Sequence, residues 1–209
     1  FTDPWNMILG LAVFFLARLL GNLYFINNIR HEELILRCRR QLISDAVPFL
    51  IFFLAFVIRT LLKHGFAVDP ETQAIVMEPY KYFHNLMAMP HLLILFLVGV
   101  VGVLFGLIKS ILSTTYTKGI WFAGVGTVLT VLALLLCVGY NHTAYYPSTA
   151  DLQSSLTLAN SCSSKFTLTT MAYVSILVPF VLAYIVYAWR AIDKKPITVE
   201  EMKEDDHAY

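Results

Sequence analysis

Long apolar runs alternate with shorter polar stretches along this chain. Five of the runs are long enough to supply the roughly 20 apolar residues that a helix needs to cross a bilayer core. The predicted spans cover residues 5–26, 42–62, 91–112, 120–140 and 171–189. We therefore expect a transmembrane helical bundle over residues 1–190, followed by a charged cytoplasmic tail over residues 191–209.

Two connections between the spans are informative. The basic segment NNIRHEELILRCRRQL, residues 27–42, has apolar residues at helical spacings and can form an amphipathic helix that binds anionic lipid. We expect it instead to be an ordinary connection that fixes the topology.

The loop at 145–171 is rich in Ser and Thr but lacks Gly, and it alternates apolar residues with hydroxyls. Because flexible linkers normally carry Gly, Pro, Glu or Lys, this composition predicts an ordered, docked loop.

The composition indicates that the predicted helices are embedded in lipid. The 209 residues are 58% hydrophobic and 14% charged, whereas a soluble domain has about 25% charged residues. The predicted fold class is an all-α integral membrane protein with about five transmembrane helices in a bundle. No basic footprint for nucleic acid is present. Since the chain begins with Phe1 and enters an apolar span almost at once, we expect a fragment of a longer protein.

The distribution of Lys and Arg predicts the orientation, because positive charge is retained on the cytoplasmic side. The loops after the second and fourth spans carry three such residues, Lys63, Lys81 and Lys165. The remaining connections and the tail carry ten, namely Arg30, Arg37, Arg39, Arg40, Lys109, Lys118, Arg190, Lys194, Lys195 and Lys203. We therefore expect the amino end of this chain outside and its carboxyl tail in the cytoplasm.

Polar residues inside the spans are the candidate site. Arg18 lies deep in the first span, where a charged side chain costs roughly 2.5–3.5 kcal/mol on insertion scales, and Asn22 lies one turn along. Asp45 is the nearest acidic candidate. We expect a structural Arg18–Asp45 pair, with a proton-relay role as the alternative.

Small residues and prolines within the spans predict helix packing and helix bends. Gly102 and Gly106 lie four residues apart on one helix face, with Gly99 nearby, so that another backbone can approach closely. Pro48 and Pro179 lie inside spans, and each predicts a kink.

Motifs for chemistry within this chain are absent from the sequence. No His lies well inside a span, and His91 at a span edge predicts an interfacial side chain rather than a haem ligand. No pair of ligands has metal-site spacing, no nucleophile motif is present, and no paired carboxylates occupy the spans. We expect no catalytic, cofactor-binding or metal-binding residues here.

The last third of the chain carries a specific set of motifs. They are a loop proline (Pro147), SSLT (154–157), and a Ser-rich run (161–164) that leads to TL (167–168) and Met171. A final span follows with VP (178–179) and LAY (182–184) before an aromatic cluster (187–189), and the tail contains ITVEE (197–201) and ends in Tyr209. In these motifs, and more weakly in the opening DPWNMILGLAVFFLARLLGNLYF, the chain resembles the carboxyl-terminal half of subunit II of cytochrome bd-type quinol oxidases.

The resemblance implies a haem-free scaffold in a respiratory complex that passes electrons from quinol to dioxygen. It implies haems b and d in a partner, the haem-bearing subunit I, and contacts with membrane lipid and quinone in a bacterial inner membrane. It also implies that the polar loop is an external cap. From the residues alone, a polytopic transporter using Arg18 in a water-filled cavity stays open. An assembly or anchor protein without chemistry is the third alternative.

Overall fold

The computed structural model describes residues 3–192 of the chain. Within that range, five helical segments are long and apolar enough to cross a membrane. In chain order the helices are α1 Pro4–Asn28, α2 Glu32–Leu62, α3 Lys81–Ala88, α4 Pro90–Leu112, α5 Gly119–Gly139, α6 Lys165–Ser175 and α7 Val178–Ile192. The fifth segment consists of α6 and α7 together, and α3 is a short helix outside the spans. The predicted all-α membrane fold with five transmembrane helices is confirmed.

The connection between the first two spans is far shorter than predicted. Residues 32–41 are the first turns of α2, which is 31 residues long and therefore about 46 Å in length. Nδ1 of His31 accepts a hydrogen bond from the backbone N–H of Leu34, and Glu32 and Glu33 lie in the positively polarised first turn. The predicted bounds of the connection, 27–41, are wrong, whereas the helical spacing noted in this segment is confirmed, because residues 32–41 begin α2.

Two helical hairpins form the body of the bundle. One consists of α1 and α2 and the other of α4 and α5, and they meet through contacts of α1 with α5 and α2 with α4. A core of buried apolar side chains holds them together. Its members are Leu19, Leu23, Ile26, Leu42, Phe49, Val103, Leu107 and Ala123.

The last transmembrane segment differs from a straight helix. Ile176 and Leu177 interrupt it between α6 and α7, two residues before Pro179, whose missing N–H cannot bond the carbonyl one turn earlier. Pro48, in contrast, lies inside an uninterrupted α2. Nearly all side chains of α6 and α7 are exposed, and Trp189 packs edge-on against Tyr24 of α1.

One end of the bundle, here called the cap, carries the strands. An antiparallel hairpin joins β1 Gly65–Val68 to β2 Ile75–Glu78, and a second pair joins β3 Ala144–Tyr146 to β4 Leu156–Thr157. A bridge between Ala67 and Thr143 connects the two pairs. The other end, here called the turn end, contains the α1–α2 connection and the α4–α5 turn. The predicted tail lies outside the described residues, apart from its first two, which end α7.

Candidate functional site

A charged pair lies between α1 and α2 at mid-bundle depth. Arg18 Nη2 is 3.1 Å from Asp45 Oδ1, and Arg18 Nε donates to Asp45 Oδ2 at 3.2 Å, so the contact is bidentate. The Asp45 side chain is 2% exposed, whereas that of Arg18 is 42% exposed. The structure therefore brings together the two residues that the sequence nominated as partners.

Two amide side chains complete the shell around the carboxylate. Asn22 Nδ2 donates to Asp45 Oδ2 at 3.4 Å, and Gln41 Nε2 donates to Oδ1 at 3.0 Å. A carboxylate has about four acceptor positions, and these donors together with Arg18 occupy them. Sequence reasoning missed Gln41, although its position four residues before Asp45 on one helix was the available signal. This arrangement suits a fixed ion pair better than a group that must release and rebind a proton.

A second arginine connects the two hairpins at the turn end. Arg39 Nη1 donates to the carbonyls of Ser110 and Ser113, the latter at 2.5 Å. Its Nη2 donates to the carbonyls of Thr114 at 2.8 Å and Tyr116 at 2.9 Å. The guanidinium is buried and meets the negatively polarised carboxyl end of α4.

Sequence reasoning counted Arg39 only as a topogenic charge. The contacts of its side chain join residues more than 70 positions apart, so no local spacing could signal them. Arg39 Nε and the Ser110 hydroxyl are buried and make no hydrogen bond within the described residues. The two terminal nitrogens of Arg39, in contrast, are paired with backbone carbonyls of α4 and the following turn.

Glycines allow α4 and α5 to approach at backbone distance. A Cβ built on Gly99 would lie 2.8 Å from the Gly126 carbonyl oxygen, and one built on Gly106 would lie 2.6 Å from that of Gly119. At Gly102 the nearest atom is the Gly126 Cα at 3.3 Å, which is a looser fit. The three glycines predicted to pack therefore face one neighbour, α5, across a single interface.

Asn85 of α3 is the centre of the cap. Its Nδ2 donates to the Cys137 carbonyl at 2.9 Å and to Thr143 Oγ1 at 2.8 Å, and its Oδ1 accepts from Asn141 Nδ2 at 3.0 Å. The side chain is fully buried. Because a buried amide left without partners is costly, this network fixes the loop after α5 onto α3.

The first part of the polar loop is docked on the β1–β2 hairpin, as its composition predicted, whereas residues 158–171 are exposed and the last seven of them begin α6. The Gln153 side chain pairs with the Ile75 backbone in both directions, since Oε1 accepts from N–H and Nε2 donates to the carbonyl, each at 2.9 Å. Ser155 and Thr157 are buried. The hydroxyl and amide side chains thus satisfy backbone groups without adding charge.

An ion-pair cluster lies on the surface of the cap. Glu78 Oε1 is 2.8 Å from His84 Nδ1, and Glu78 Oε2 is 3.3 Å from Lys81 Nζ. The hydrogen bond with His84, reinforced by the charge of Lys81, lowers the pKa of Glu78 from its ordinary value of 4.5. The carboxylate form of Glu78 therefore stabilises the junction between β2 and α3.

Histidines within residues 3–192 occupy helix ends, the short helix α3 and loops. His31 caps α2, His84 binds Glu78, and His91 is an exposed residue in the first turn of α4. His64 and His142 lie in the cap connections. The same residues contain no group of three His, Cys, Asp or Glu side chains placed to hold a metal ion.

Comparison with known proteins gives one consistent relationship. The chain matches the family described as cytochrome bd terminal oxidase subunit II over residues 1–192. It is 28% identical over 156 residues to cytochrome bd-I ubiquinol oxidase subunit 2 of Escherichia coli strain K12, and equally to that of E. coli O157:H7. These alignments cover 73% of this chain and 39% of each relative, so the chain spans about two fifths of their length. Because the family match includes every described residue, this chain belongs to the cytochrome bd terminal oxidase subunit II family.

Proposed function

We propose that this chain is part of the haem-free subunit of a respiratory quinol oxidase, and that it supports a haem-bearing partner subunit in the membrane. The observation that carries the proposal is the family match over residues 1–192. The relatives are named as subunits of a ubiquinol oxidase, which supports quinol as the electron donor of the complex. Dioxygen is then the electron acceptor.

The haems of such a complex are assigned to the partner. A haem in a helical bundle needs His or Met side chains that project from the spans toward a common cavity. The histidines of residues 3–192 lie at helix ends, in α3 and in loops, and His84 already binds Glu78. The described residues of this chain do not fit a haem, so no electron-transfer step is routed through them.

A structural role is supported by how the chain uses its polar residues. Asp45 has its acceptor positions filled, and Arg39 bonds the backbone of a neighbouring hairpin. Both arrangements fix helix positions. The last segment, α6 and α7, exposes an apolar surface over its whole length, as a helix that packs on another chain or lies in lipid would.

The proposed setting is a bacterial inner membrane with the turn end facing the cytoplasm. The supporting observation is the excess of Lys and Arg at that end over the cap. An apolar crevice of about 100 Å³ lies between the two hairpins, lined by residues such as Leu16, Phe53 and Val103. We assign the contact with a lipid or quinone tail to this crevice, because its lining favours hydrocarbon.

Co-purification tests the proposal. The tagged native protein is extracted in mild detergent, its partners are identified by mass, and a reduced-minus-oxidised visible spectrum is recorded. We expect haem absorbance to arrive with a second, larger membrane chain. A protein that purifies alone and colourless would contradict the proposal and favour a transporter or an anchor protein.

A further inference from the structure

The carbonyls that bind Arg39 converge at the turn end of the bundle. This group, here called the carbonyl cup, consists of the backbone oxygens of Ser110, Ser113, Thr114 and Tyr116. The last carbonyls of a helix have no N–H partner within it, and α4 ends two residues after Ser110. Within residues 3–192, the backbone provides no N–H donor for any of these four oxygens. The side chain of Arg39 is therefore their donor.

The four oxygens match one edge of a guanidinium group. Nη1 of Arg39 binds the oxygens of Ser110 and Ser113, and Nη2 binds those of Thr114 and Tyr116. The two terminal nitrogens of a guanidinium carry four N–H donors in one plane, so each oxygen has a donor of its own. An ammonium group has only three donors, and they do not lie in one plane. The carbonyl cup therefore favours a planar cation.

The side of the guanidinium that is attached to the chain takes no part in this recognition. Nε of Arg39 is buried and makes no hydrogen bond within residues 3–192. Arg39 as a whole is buried, whereas Thr114 and Thr115 on the α4–α5 turn are exposed, so water reaches the turn beside the cup. A free guanidinium ion could thus make the same four contacts as the arginine side chain.

We propose that the carbonyl cup is a binding site for guanidinium cations and that Arg39 occupies it as an intramolecular ligand. The ligand class follows from the four convergent acceptors and from the negatively polarised end of α4. The backbone of α4 and its following turn provides the recognition, and the tether to α2 only supplies the cation. The site lies within this chain and does not depend on the proposed function.

Chemical rescue of Arg39→Ala tests the site. The tagged variant is purified in mild detergent with its native partners, and its melting temperature is measured in guanidinium chloride or in sodium chloride of equal concentration. We expect guanidinium at roughly 20 mM to raise the melting temperature by several degrees over sodium, because a ligand that binds the folded state stabilises it. The wild type, whose cup is occupied, should show no such rise. Equal melting temperatures of the variant in the two salts would overturn the proposal.

Two substituted cations test the assigned contacts. Methylguanidinium keeps two unsubstituted nitrogens, and its methyl group takes the place of Cδ of Arg39. In N,N′-dimethylguanidinium, every pair of nitrogens has lost at least one N–H. We expect methylguanidinium to rescue Arg39→Ala as well as guanidinium does, and the dimethyl cation to need an about tenfold higher concentration. Equal rescue by all three cations would contradict recognition through the terminal nitrogens.

Two controls separate a specific site from a general effect of the solvent. Urea has the planar shape without the charge, and Gly126→Ala is destabilised at a part of the α4–α5 contact outside the cup. We expect urea not to rescue Arg39→Ala, and guanidinium not to rescue Gly126→Ala. Rescue in either control equal to that of Arg39→Ala by guanidinium would overturn the proposal.

Arg39→Lys tests the same selectivity without an empty cup. Lysine keeps the positive charge but offers one ammonium group in place of the planar fork, so we expect a melting temperature several degrees below that of the wild type. A lysine variant as stable as the wild type would overturn the proposal, even if Arg39→Ala does not accumulate.

Discussion

At the scale of single residues, the charges of two arginines, Arg18 and Arg39, are balanced in different ways. Both carry charge within the bundle, where an unpaired cation is expensive. Arg18 is balanced by one carboxylate, that of Asp45, in a bidentate ion pair. Arg39 is balanced by four backbone carbonyls at the carboxyl end of α4 and in the turn that follows. The first arrangement depends on a matching side chain, whereas the second depends on where a neighbouring helix ends.

The Arg18–Asp45 pair predicts strong coupling in a double-mutant cycle. Asp45→Leu leaves Arg18 without its counter-charge and is expected to destabilise the protein by about 2–4 kcal/mol. Arg18→Leu alone leaves the buried Asp45 unpaired and should cost a similar amount. The double variant should recover most of the loss. Unfolding in mixed detergent measures each free energy, and additive effects of the two substitutions would contradict a direct pair.

Arg39 and its sequence neighbour Arg40 provide a matched comparison. Arg39→Met removes the hydrogen bonds to four carbonyls and should destabilise the bundle by about 2–4 kcal/mol. Arg40 is exposed, so Arg40→Met should change the free energy of unfolding by less than about 0.5 kcal/mol. Thermal unfolding in detergent measures both. Equal losses would show that the charge of this segment, rather than the carbonyl contacts, determines its stability.

At the scale of elements, α4 and α5 lie close together because glycines at their interface carry no side chain. Gly126 of α5 lies opposite Gly99 and Gly102 of α4, and a Cβ on Gly126 would come within 2.6 Å of the Val103 backbone nitrogen. In lipid, such close backbone contact replaces the hydrophobic driving force that holds helices together in water. The interface therefore depends on glycine at particular positions rather than on overall apolarity.

Two glycines of α5 separate packing from helix propensity. Gly126→Ala places a methyl group against α4 and is expected to destabilise the bundle by about 1–3 kcal/mol. Gly124→Ala has open space and should be neutral or stabilising by up to about 1 kcal/mol, because alanine favours the helix. Thermal unfolding of the two variants measures the difference. The assigned interface would be contradicted if Gly126→Ala were the more stable protein.

The cap should respond to acid through Glu78. A carboxyl group whose pKa is lowered by folding contributes stability above its unfolded pKa, and loses it as the pH falls through the folded value. The difference in melting temperature between wild type and Glu78→Gln should therefore be present at pH 7 and shrink below about pH 4.5. Glu71→Gln, at the exposed hairpin turn, is the control. A constant difference from pH 7 to pH 3.5 would contradict the role of Glu78.

At the scale of the whole molecule, the described helices expose many large apolar side chains. The helices α6 and α7 are exposed along nearly their whole length, and the Arg18 side chain on α1 is 42% exposed. Hydrocarbon is a favourable environment for such apolar side chains. This exposure suits helices that lie in lipid or pack on other membrane helices, as the proposed function requires.

The proposed function predicts that accumulation of the chain depends on the haem-bearing partner. In cells that lack the haem-bearing subunit, we expect the amount of this chain in the membrane to fall several-fold, because the uncovered protein is degraded. Immunoblotting of the tagged chain measures this, and co-expression of the partner should restore the level. Equal amounts with and without the partner would contradict an obligate subunit.

The sequence alone determined the properties that depend on local composition. The length of the apolar runs predicted the five spans, because a helix needs about 20 apolar residues to cross a bilayer core. The free-energy cost of a charge in lipid identified Arg18 as a residue that needs a partner, with Asp45 as the nearest acidic candidate. Loop composition predicted docking, and small residues in α4 predicted a close helix contact. The motifs of the last third identified the family.

Only the tertiary structure decided which groups meet across long sequence separations. The contacts of Arg39 with α4 and of Asn85 with the loop after α5 join residues more than 50 positions apart. The start of α2 at Glu32 also escaped prediction, because a capping histidine and a distant helix end stabilise turns that read as a polar connection. The direction in which Arg18 faces depends on how α1 is rotated against α2. Packing sets that rotation, and packing has no local signature in sequence.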